Sequence, residues 1–160
     1  MGRGSEGVRR DVGRRTTWAS TGVMWFIAGC QGPVPVLERA PTADAVPLTI
    51  VRIVDGDTFV VGESGTRVRL WGIDAPERGD VPAGQNATAW LRVVAEDADH
   101  RFLCEERDRD RDGRTVAECF TPDGQDIQAA MIAAGHAVEW CRYSEGAYGQ
   151  CGIRGGRARD

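Results

Sequence analysis

The residues best suited to chemistry are concentrated between Asp55 and Glu77. Asp57 closes a tight Asp-Gly-Asp turn, Asp74 and Glu77 flank a second turn of sequence D-A-P-E, and Arg69 precedes that second turn. Clustered carboxylates hold Ca²⁺ or Mg²⁺ through their oxygen atoms. A remaining carboxylate beside the metal can orient or deprotonate water, and an arginine can hold a phosphate through two parallel hydrogen bonds. The spacing indicates metal-assisted chemistry on a phosphate, provided that the two turns converge.

The alternative is that both segments are only turns exposed to solvent. Asp, Gly and Pro are residues that tight turns favour for their backbone geometry alone. Spacing by itself does not separate these two interpretations, because the side chains converge only if the elements around the turns bring them together.

The runs around the two turns are typical of short β-strands. They read LTIVRIV, TFVV and RVRLWGI between Leu48 and Ile73, and turn signals separate them. Such β-branched runs predict a meander of three antiparallel strands. We expect the end of the third strand to return beside the first strand, which would bring the two turns together.

The rest of the chain predicts helices and a further hairpin. A helix opens at Pro82–Gly84, and its apolar residues recur with helical spacing. A hairpin of RFLCEER and RTVAECF turns at Asp110–Gly113, and a second helix, IQAAMIAAG, runs from an Asp126 cap to Gly135. A final extended run, AVEWCRYS, follows. The predicted fold is α+β, mainly β: a five-stranded OB-type barrel with helices packed on it, over residues 47–160.

Three sequence blocks resemble the signature blocks of the staphylococcal nuclease (thermonuclease) family. They are VDGDT at Val54–Thr58, VRLWGIDAPE at Val68–Glu77 and DRDGR at Asp110–Arg114. The resemblance covers about residues 48–148. That family has an OB-fold barrel and cleaves DNA and RNA with Ca²⁺, using water to attack the phosphodiester. The resemblance therefore implies a Ca²⁺-dependent hydrolase whose substrate is DNA, RNA or both.

The resemblance also assigns a role to each matching residue in the metal site. It implies that the carboxylates of Asp57 and Asp74 are Ca²⁺ ligands, together with the backbone carbonyl of Ala75. It makes Glu77 the general base, or the group that positions the attacking water.

On the substrate side, the resemblance implies two arginines and one tyrosine. Arg69 and Arg114 would hold the phosphate and neutralise the charge of the transition state, and Tyr143 would lie against the nucleotide. Stabilising that developing charge is the largest requirement of the reaction, and the planar guanidinium suits phosphate oxygens. Contacts to the phosphate backbone carry no base information, so we expect low sequence specificity. Asp112 departs from the pattern, because well-known members have an aromatic residue there, and its charge lies next to Arg114.

The competing hypothesis is a non-catalytic OB module that binds nucleic acid or a protein partner. A degenerate module of that kind would be expected to have lost some of the chemically active side chains. All five are present: Asp57, Arg69, Asp74, Glu77 and Arg114. We therefore favour the enzyme, and we expect it to be a monomer.

Charge and composition restrict how such a protein could bind a polyanion. The 160 residues have a net charge of −4 and contain no lysine, because all 20 basic residues are arginine. Residues 31–160 carry 15 of those arginines against 22 acidic residues. An acidic body does not attract nucleic acid by its overall charge. Local arginines and a divalent cation must supply the attraction.

The first 30 residues predict a signal segment. Five arginines precede a short apolar stretch, VMWFIA, and the segment ends in I-A-G-Cys30, which resembles the bacterial lipobox. We expect Cys30 to be the lipid-bearing first residue of the mature chain, or the protein to be secreted after ordinary cleavage. The alternative is a disordered N-terminus with a chance cysteine. Residues 31–46 are rich in proline and predict an extended tether.

The other four cysteines suggest two disulfides. Cys104 and Cys119 lie equally far from the centre of the hairpin turn at Asp110–Gly113, so they should face each other and fall within disulfide range. Cys141 and Cys151 then pair by elimination. A zinc site made by the four cysteines is the alternative, although no C-x-x-C pair is present. The tryptophans Trp71, Trp90 and Trp140 are predicted to pack in the core or at its rim rather than to stack on bases.

Overall fold

The structure is a computed structural model, and it describes residues 39–152. The predicted signal segment with Cys30, and residues 31–38 of the predicted tether, lie outside the described residues. Within residues 39–152, the helices are too short or too polar to cross a membrane.

The described residues form a closed five-stranded barrel with the strand order β1-β2-β3-β6-β5, together with helices and a small separate sheet made of β4 and β7. Neighbouring barrel strands are antiparallel except β3 and β6, which run parallel. The elements are β1 (Val46–Ile53), β2 (Thr58–Val61), β3 (Thr66–Leu70), β4 (Ile73–Asp74), α1 (Ala83–Asp97), β5 (Arg101–Arg109), β6 (Thr115–Phe120), α2 (Ile127–Ala133), β7 (Val138–Glu139) and α3 (Cys141–Ser144). The predicted fold class is confirmed.

The core fills the barrel and the space beneath α1. Phe59 and Phe102 are fully buried and meet edge to face, with ring centroids 5.5 Å apart. On α1, Leu91 and Ala95 are buried as their helical spacing predicted. On α2, Ile127 and Met131 are buried, and Ala134, which follows the helix, is exposed.

The predicted end of the third strand is wrong, because the strand stops at Leu70 and the chain turns at Trp71-Gly72. Gly72 has a φ of +71°, a conformation that favours glycine. A Cβ on Gly72 would also lie 3.0 Å from the Cβ of Ser144. The chain therefore leaves the barrel after β3, and the two residues of β4 pair instead with β7.

The predicted extended run AVEWCRYS is likewise only partly extended. Val138–Glu139 form β7, but Cys141–Ser144 turn into α3. The backbone carbonyl of Trp140 accepts hydrogen bonds from the amides of Tyr143 and Ser144, at 2.9 and 3.0 Å. These two bonds close the turn and end the strand.

Both predicted disulfides are confirmed, and the zinc alternative is wrong. Cys104 bonds to Cys119, with Cα atoms 4.1 Å apart, and Cys141 bonds to Cys151. The predicted geometry of the hairpin tip is nevertheless wrong. Arg109 faces Thr115, so the turn holds one more residue than expected. An irregularity in β5 between Glu106 and Asp108 cancels that offset before the chain reaches the cysteines.

The chain is packed against the barrel before β1 begins. Arg39 donates to Glu118 on β6, with one of these bonds at 2.8 Å, and the amide of Thr42 donates to Glu105 on β5 at 2.6 Å. Glu118 is fully buried and also accepts hydrogen bonds from Arg107. Two arginines thus offset the cost of burying this carboxylate.

Asp126 introduces a second buried carboxylate near Glu118. Its Oδ1 accepts from the amide of Ala129 at 2.9 Å and caps α2 as predicted, while its buried Oδ2 has no hydrogen-bond partner among the described residues. The pKa of Asp126 is raised to about 6, mainly by burial; the hydrogen bond from Ala129 and the charge of Arg39 oppose the rise, and the charge of Glu118 adds to it. Tyr148, also nearby, is itself kept from ionising by burial, which raises its pKa.

We expect Asp126→Asn to stabilise the protein at pH 8 but not at pH 4. A carboxyl with a raised native pKa binds its proton more tightly in the folded state. Ionisation of Asp126 therefore lowers the free energy of unfolding. This cost is complete above about pH 6 and absent below the unfolded pKa near 4. Asparagine keeps the capping oxygen without the charge. The expected gain in the free energy of unfolding at pH 8 is about 1–2 kcal/mol, measured by urea unfolding at both pH values.

The exposed Asp44 supplies a matched control. Asp44→Asn should give no difference that depends on pH. An Asp126→Asn variant that is less stable than the wild type at pH 8, or equally altered at both pH values, would contradict this account.

Candidate active site

Antiparallel pairing of β2 with β3 builds the first half of the site. Thr58 lies opposite Arg69, so Asp57, just before β2, is adjacent to the end of β3. The two turns do converge, but the expected reason is wrong: in the barrel β1 pairs with β2 and β5, not with β3.

Arg69 lies between the two predicted metal-binding carboxylates. Its Nη1 donates to Asp57 Oδ1 at 2.8 Å, and its Nη2 lies 3.3 Å from Asp74 Oδ1 and 3.4 Å from the carbonyl oxygen of Ile73. The structure thus brings together three of the predicted site residues. The Asp74 turn is in place because β4 pairs with β7.

Asp57 is the most buried of the predicted site residues with a charge, at 4% exposure. Its oxygens also accept from Thr58 Oγ1 at 2.9 Å and from the backbone amide of Ala75 at 3.1 Å. Burial raises the pKa of Asp57 to about 6, Arg69 opposes this rise, and the negative charge of Asp55 adds to it. Because burial disfavours the negative charge of this carboxylate, a cation bound next to it would stabilise the ionised form. The carboxylates of Asp57 and Asp74 and the carbonyl of Ala75 are oxygen donors of the kind that Ca²⁺ prefers.

Two glycines allow the turns to approach each other and α1. A Cβ on Gly56 would lie 2.8 Å from the Cβ of Ala75 and 2.7 Å from that of Ala87. A Cβ on Gly84 would lie 1.7 Å from the carbonyl oxygen of Glu77. Neither position has room for a side chain, so close packing against α1 holds both turns in place.

Glu77 stands apart from the other carboxylates. Its side chain is exposed, and its carbonyl accepts from the amide of Asp80 at 2.8 Å. Within residues 39–152, the oxygens of Asp57, Asp74 and Glu77 are not all within 4.8 Å of one another. Glu77 therefore lies on the same turn as Asp74, but the three carboxylates do not form one compact group of ligands.

Parallel pairing of β3 with β6 builds the second half of the site. Val68 lies opposite Thr115, so Arg114, just before β6, comes beside β3. Arg114 and Arg69 line one cleft of about 490 Å³, together with the hairpin tip and the side chains of Trp140 and Tyr143. Arg114 Nε donates to Asp110 Oδ2 at 2.7 Å, and its Nη2 lies 3.6 Å from Asp112 Oδ2. Asp112 therefore lies beside Arg114, as its position in the sequence suggested.

The predicted nucleotide-binding tyrosine lies on α3 at the same cleft. Tyr143 is 48% exposed, and its ring centroid lies 4.5 Å from that of Trp140 at an angle of 79°. Trp140 is the residue that sequence reasoning missed, since it lines the cleft and its ring faces the Arg69 guanidinium. The signal was the three-residue spacing of Trp140 and Tyr143, which is meaningful only if the segment is helical.

The molecule is an OB-type barrel in which Arg69 contacts Asp57 and Asp74 and also lines, with Arg114, a cleft beside them. Residues 67–151 match the family described as "Staphylococcal nuclease homologue", which is just over half of the chain. The chain belongs to the staphylococcal nuclease family, as the three sequence blocks predicted. The matched range includes Arg69, Asp74, Glu77, Arg114 and Tyr143, whereas Asp57 precedes it.

Curated relatives from bacteria match between 55% and 60% of the chain. The "Succinoglycan biosynthesis protein ExoI" of Rhizobium meliloti (strain 1021) is 35% identical over 105 residues, covering 60% of this chain and 53% of that protein. An "Uncharacterized endonuclease" of Escherichia coli O157:H7 is 33% identical over 97 residues, covering 59% and 61%. "Protein ParB" of Escherichia coli is 34% identical over 98 residues, covering 55% and 54%. The chain thus spans about half to three fifths of the length of these relatives.

Proposed function

We propose that this protein is a Ca²⁺-dependent phosphodiesterase that hydrolyses DNA, RNA or both with low sequence specificity. The observation that carries the proposal is the position of Arg69, which contacts Asp57 and Asp74 and lines the cleft that also contains Arg114. Membership of the staphylococcal nuclease family and a relative named as an endonuclease support the same function.

The carboxylates are assigned to the cation. Asp57 and Asp74, with the carbonyl of Ala75, would hold Ca²⁺, which supplies positive charge to a phosphate oxygen when bound. Asp57 cannot rearrange freely, because it is buried and accepts hydrogen bonds from Arg69, Thr58 and Ala75. A ligand held in this way requires little reorganisation when the ion binds.

The arginines are assigned to the substrate. Arg69 and Arg114 line the cleft, and their N–H groups can bind the non-bridging oxygens of one phosphodiester. Their hydrogen bonds strengthen as negative charge accumulates on the phosphate, which lowers the barrier. Tyr143 extends the cleft surface on which a sugar or base can rest. Because these contacts involve phosphate and ring faces, base identity has little influence.

Glu77 is assigned to the attacking water. Its exposed carboxylate is not held in the Arg69 contacts, so it can accept a proton from water. The backbone of Glu77 is fixed by its contact with Gly84, which restricts where the carboxylate can reach.

The direct test uses the full chain with its disulfides formed. We expect cleavage of denatured DNA and of RNA in Ca²⁺, and none in EGTA, as followed by gel electrophoresis of labelled strands of mixed sequence. Parallel reactions in Mg²⁺ separate the two metals that the carboxylates could bind. Binding of the same strands without cleavage in Ca²⁺ would contradict the proposal and would instead support a non-catalytic binding module.

A further inference from the structure

We propose that Trp140 is a positioning residue that orients the Arg69 guanidinium toward the cleft. This inference rests on the proposed function. The Cζ atom of Arg69 lies 5.4 Å from the centroid of the Trp140 ring, which is the distance of a cation–π contact. Both residues line the same cleft.

The contact matters because of the way Arg69 must share its donors. Its Nη atoms donate to Asp57 and lie close to Asp74, and a bound phosphate would compete for the same N–H groups. The Trp140 ring attracts the guanidinium through its π face, so it adds no oxygen acceptor that would compete with Asp57, Asp74 or a phosphate. A ring packed against the guanidinium also restricts its movement when one of those hydrogen bonds is released. Trp140 can therefore hold Arg69 in place while its hydrogen bonds pass from carboxylate to phosphate.

Trp140 is itself held by the element that carries Asp74. Ile73 on β4 pairs with Glu139 on β7, and the amide of Trp140 donates to the carbonyl of Gly72 at 2.8 Å. The Trp140 ring also contacts Tyr143. One side chain thus touches the arginine assigned to the phosphate and the tyrosine assigned to the nucleotide.

Trp71, a second tryptophan that lines the cleft, packs on arginines that are not among the cleft residues. Trp71 lies against Arg39 and Arg107 at 5.5 and 5.8 Å, but both arginines are bonded to the buried Glu118. Those guanidinium groups are used to stabilise the fold. Arg69, by contrast, lines the cleft and contacts the carboxylates assigned to the metal.

The kinetic test compares Trp140→Leu, Trp140→Phe and a control, Trp90→Leu, on denatured DNA in Ca²⁺. Trp90 packs against His136, with ring centroids 5.8 Å apart, and is not among the residues lining the cleft. We expect Trp140→Leu to lower kcat about 5- to 30-fold, the equivalent of a desolvated cation–π contact, and Trp140→Phe to recover most of that loss. A kcat of Trp140→Leu equal to that of the wild type, or a loss not recovered by phenylalanine, would overturn the inference.

A second measurement does not depend on activity. In protein labelled with ¹⁵N-arginine, the Arg69 Nε–H signal is identified by its loss in Arg69→Lys. We expect an upfield ring-current shift that disappears in Trp140→Leu and persists in Trp90→Leu. If Trp140→Leu does not fold, Trp140→Phe is expected to give a smaller change of the same sign. An Arg69 signal that does not respond to either substitution would overturn the inference, whereas absence of cleavage by the wild type would contradict only the proposed function.

Discussion

Replacing Arg114 with alanine is expected to lower kcat by about 10³-fold or more while the protein stays folded. Arg114 lines the cleft. Its ion pairs are with Asp110 and Asp112 at the hairpin tip. Its side chain is 25% exposed, and both carboxylates belong to the hairpin tip rather than to the core, so we expect its removal to cost little stability. The loss should therefore appear in the reaction and not in the melting temperature. The measurement is kcat on denatured DNA at saturating Ca²⁺, alongside thermal unfolding.

Arg101 provides the matched control for Arg114. Its side chain is 60% exposed, pairs with Asp99 and is not among the residues lining the cleft. Arg101→Ala removes the same charge but should leave kcat unchanged. Arg114→Lys should recover only part of the rate, because an ammonium lacks the planar pair of donors. An Arg114→Ala enzyme with nearly wild-type kcat would show that the transition-state charge is neutralised elsewhere.

Glu77→Gln is the second substitution expected to have a large effect, lowering kcat by about 10²- to 10⁴-fold. Glutamine has nearly the same shape as glutamate but cannot accept a proton from water near neutral pH. The substitution should leave the fold unchanged, because the side chain of Glu77 is exposed and the turn is held through its backbone. Single-turnover cleavage in Ca²⁺ measures the chemical step directly.

The control for Glu77 is Glu63→Gln, which changes an exposed glutamate in the turn between β2 and β3. It should cleave at the wild-type rate. A Glu77→Gln rate within a few-fold of the wild type would remove Glu77 from the role of base and leave the water to be activated by another group.

The site was predictable wherever it depends on neighbouring segments of the chain. Asp57 and Arg69 meet because β2 and β3 are joined by a short turn, and β-branched runs with a turn between them encode that pairing within a few residues. The disulfide between Cys104 and Cys119 was predictable for the same reason. It nevertheless depended on a bulge in β5 that offsets the longer turn. The bulge has no signal in residue type, so the correct pairing followed from an incomplete description of the hairpin.

Contacts that depend on closing the barrel leave no signal in the local sequence. Arg114 reaches the cleft because β6 pairs in parallel with β3, far away in the sequence, and local propensity carries no information about such a pairing. Trp140 faces Arg69 because Gly72 turns the chain out of the barrel, so that β4 can pair with β7. The sequence therefore specified the chemical groups, the fold class and, through the family resemblance, Arg114 and Tyr143 as site residues. Closing the barrel places Arg114 in the same cleft as Arg69 and brings the ring of Trp140 against Arg69, because the free energy of those contacts comes from packing between distant segments.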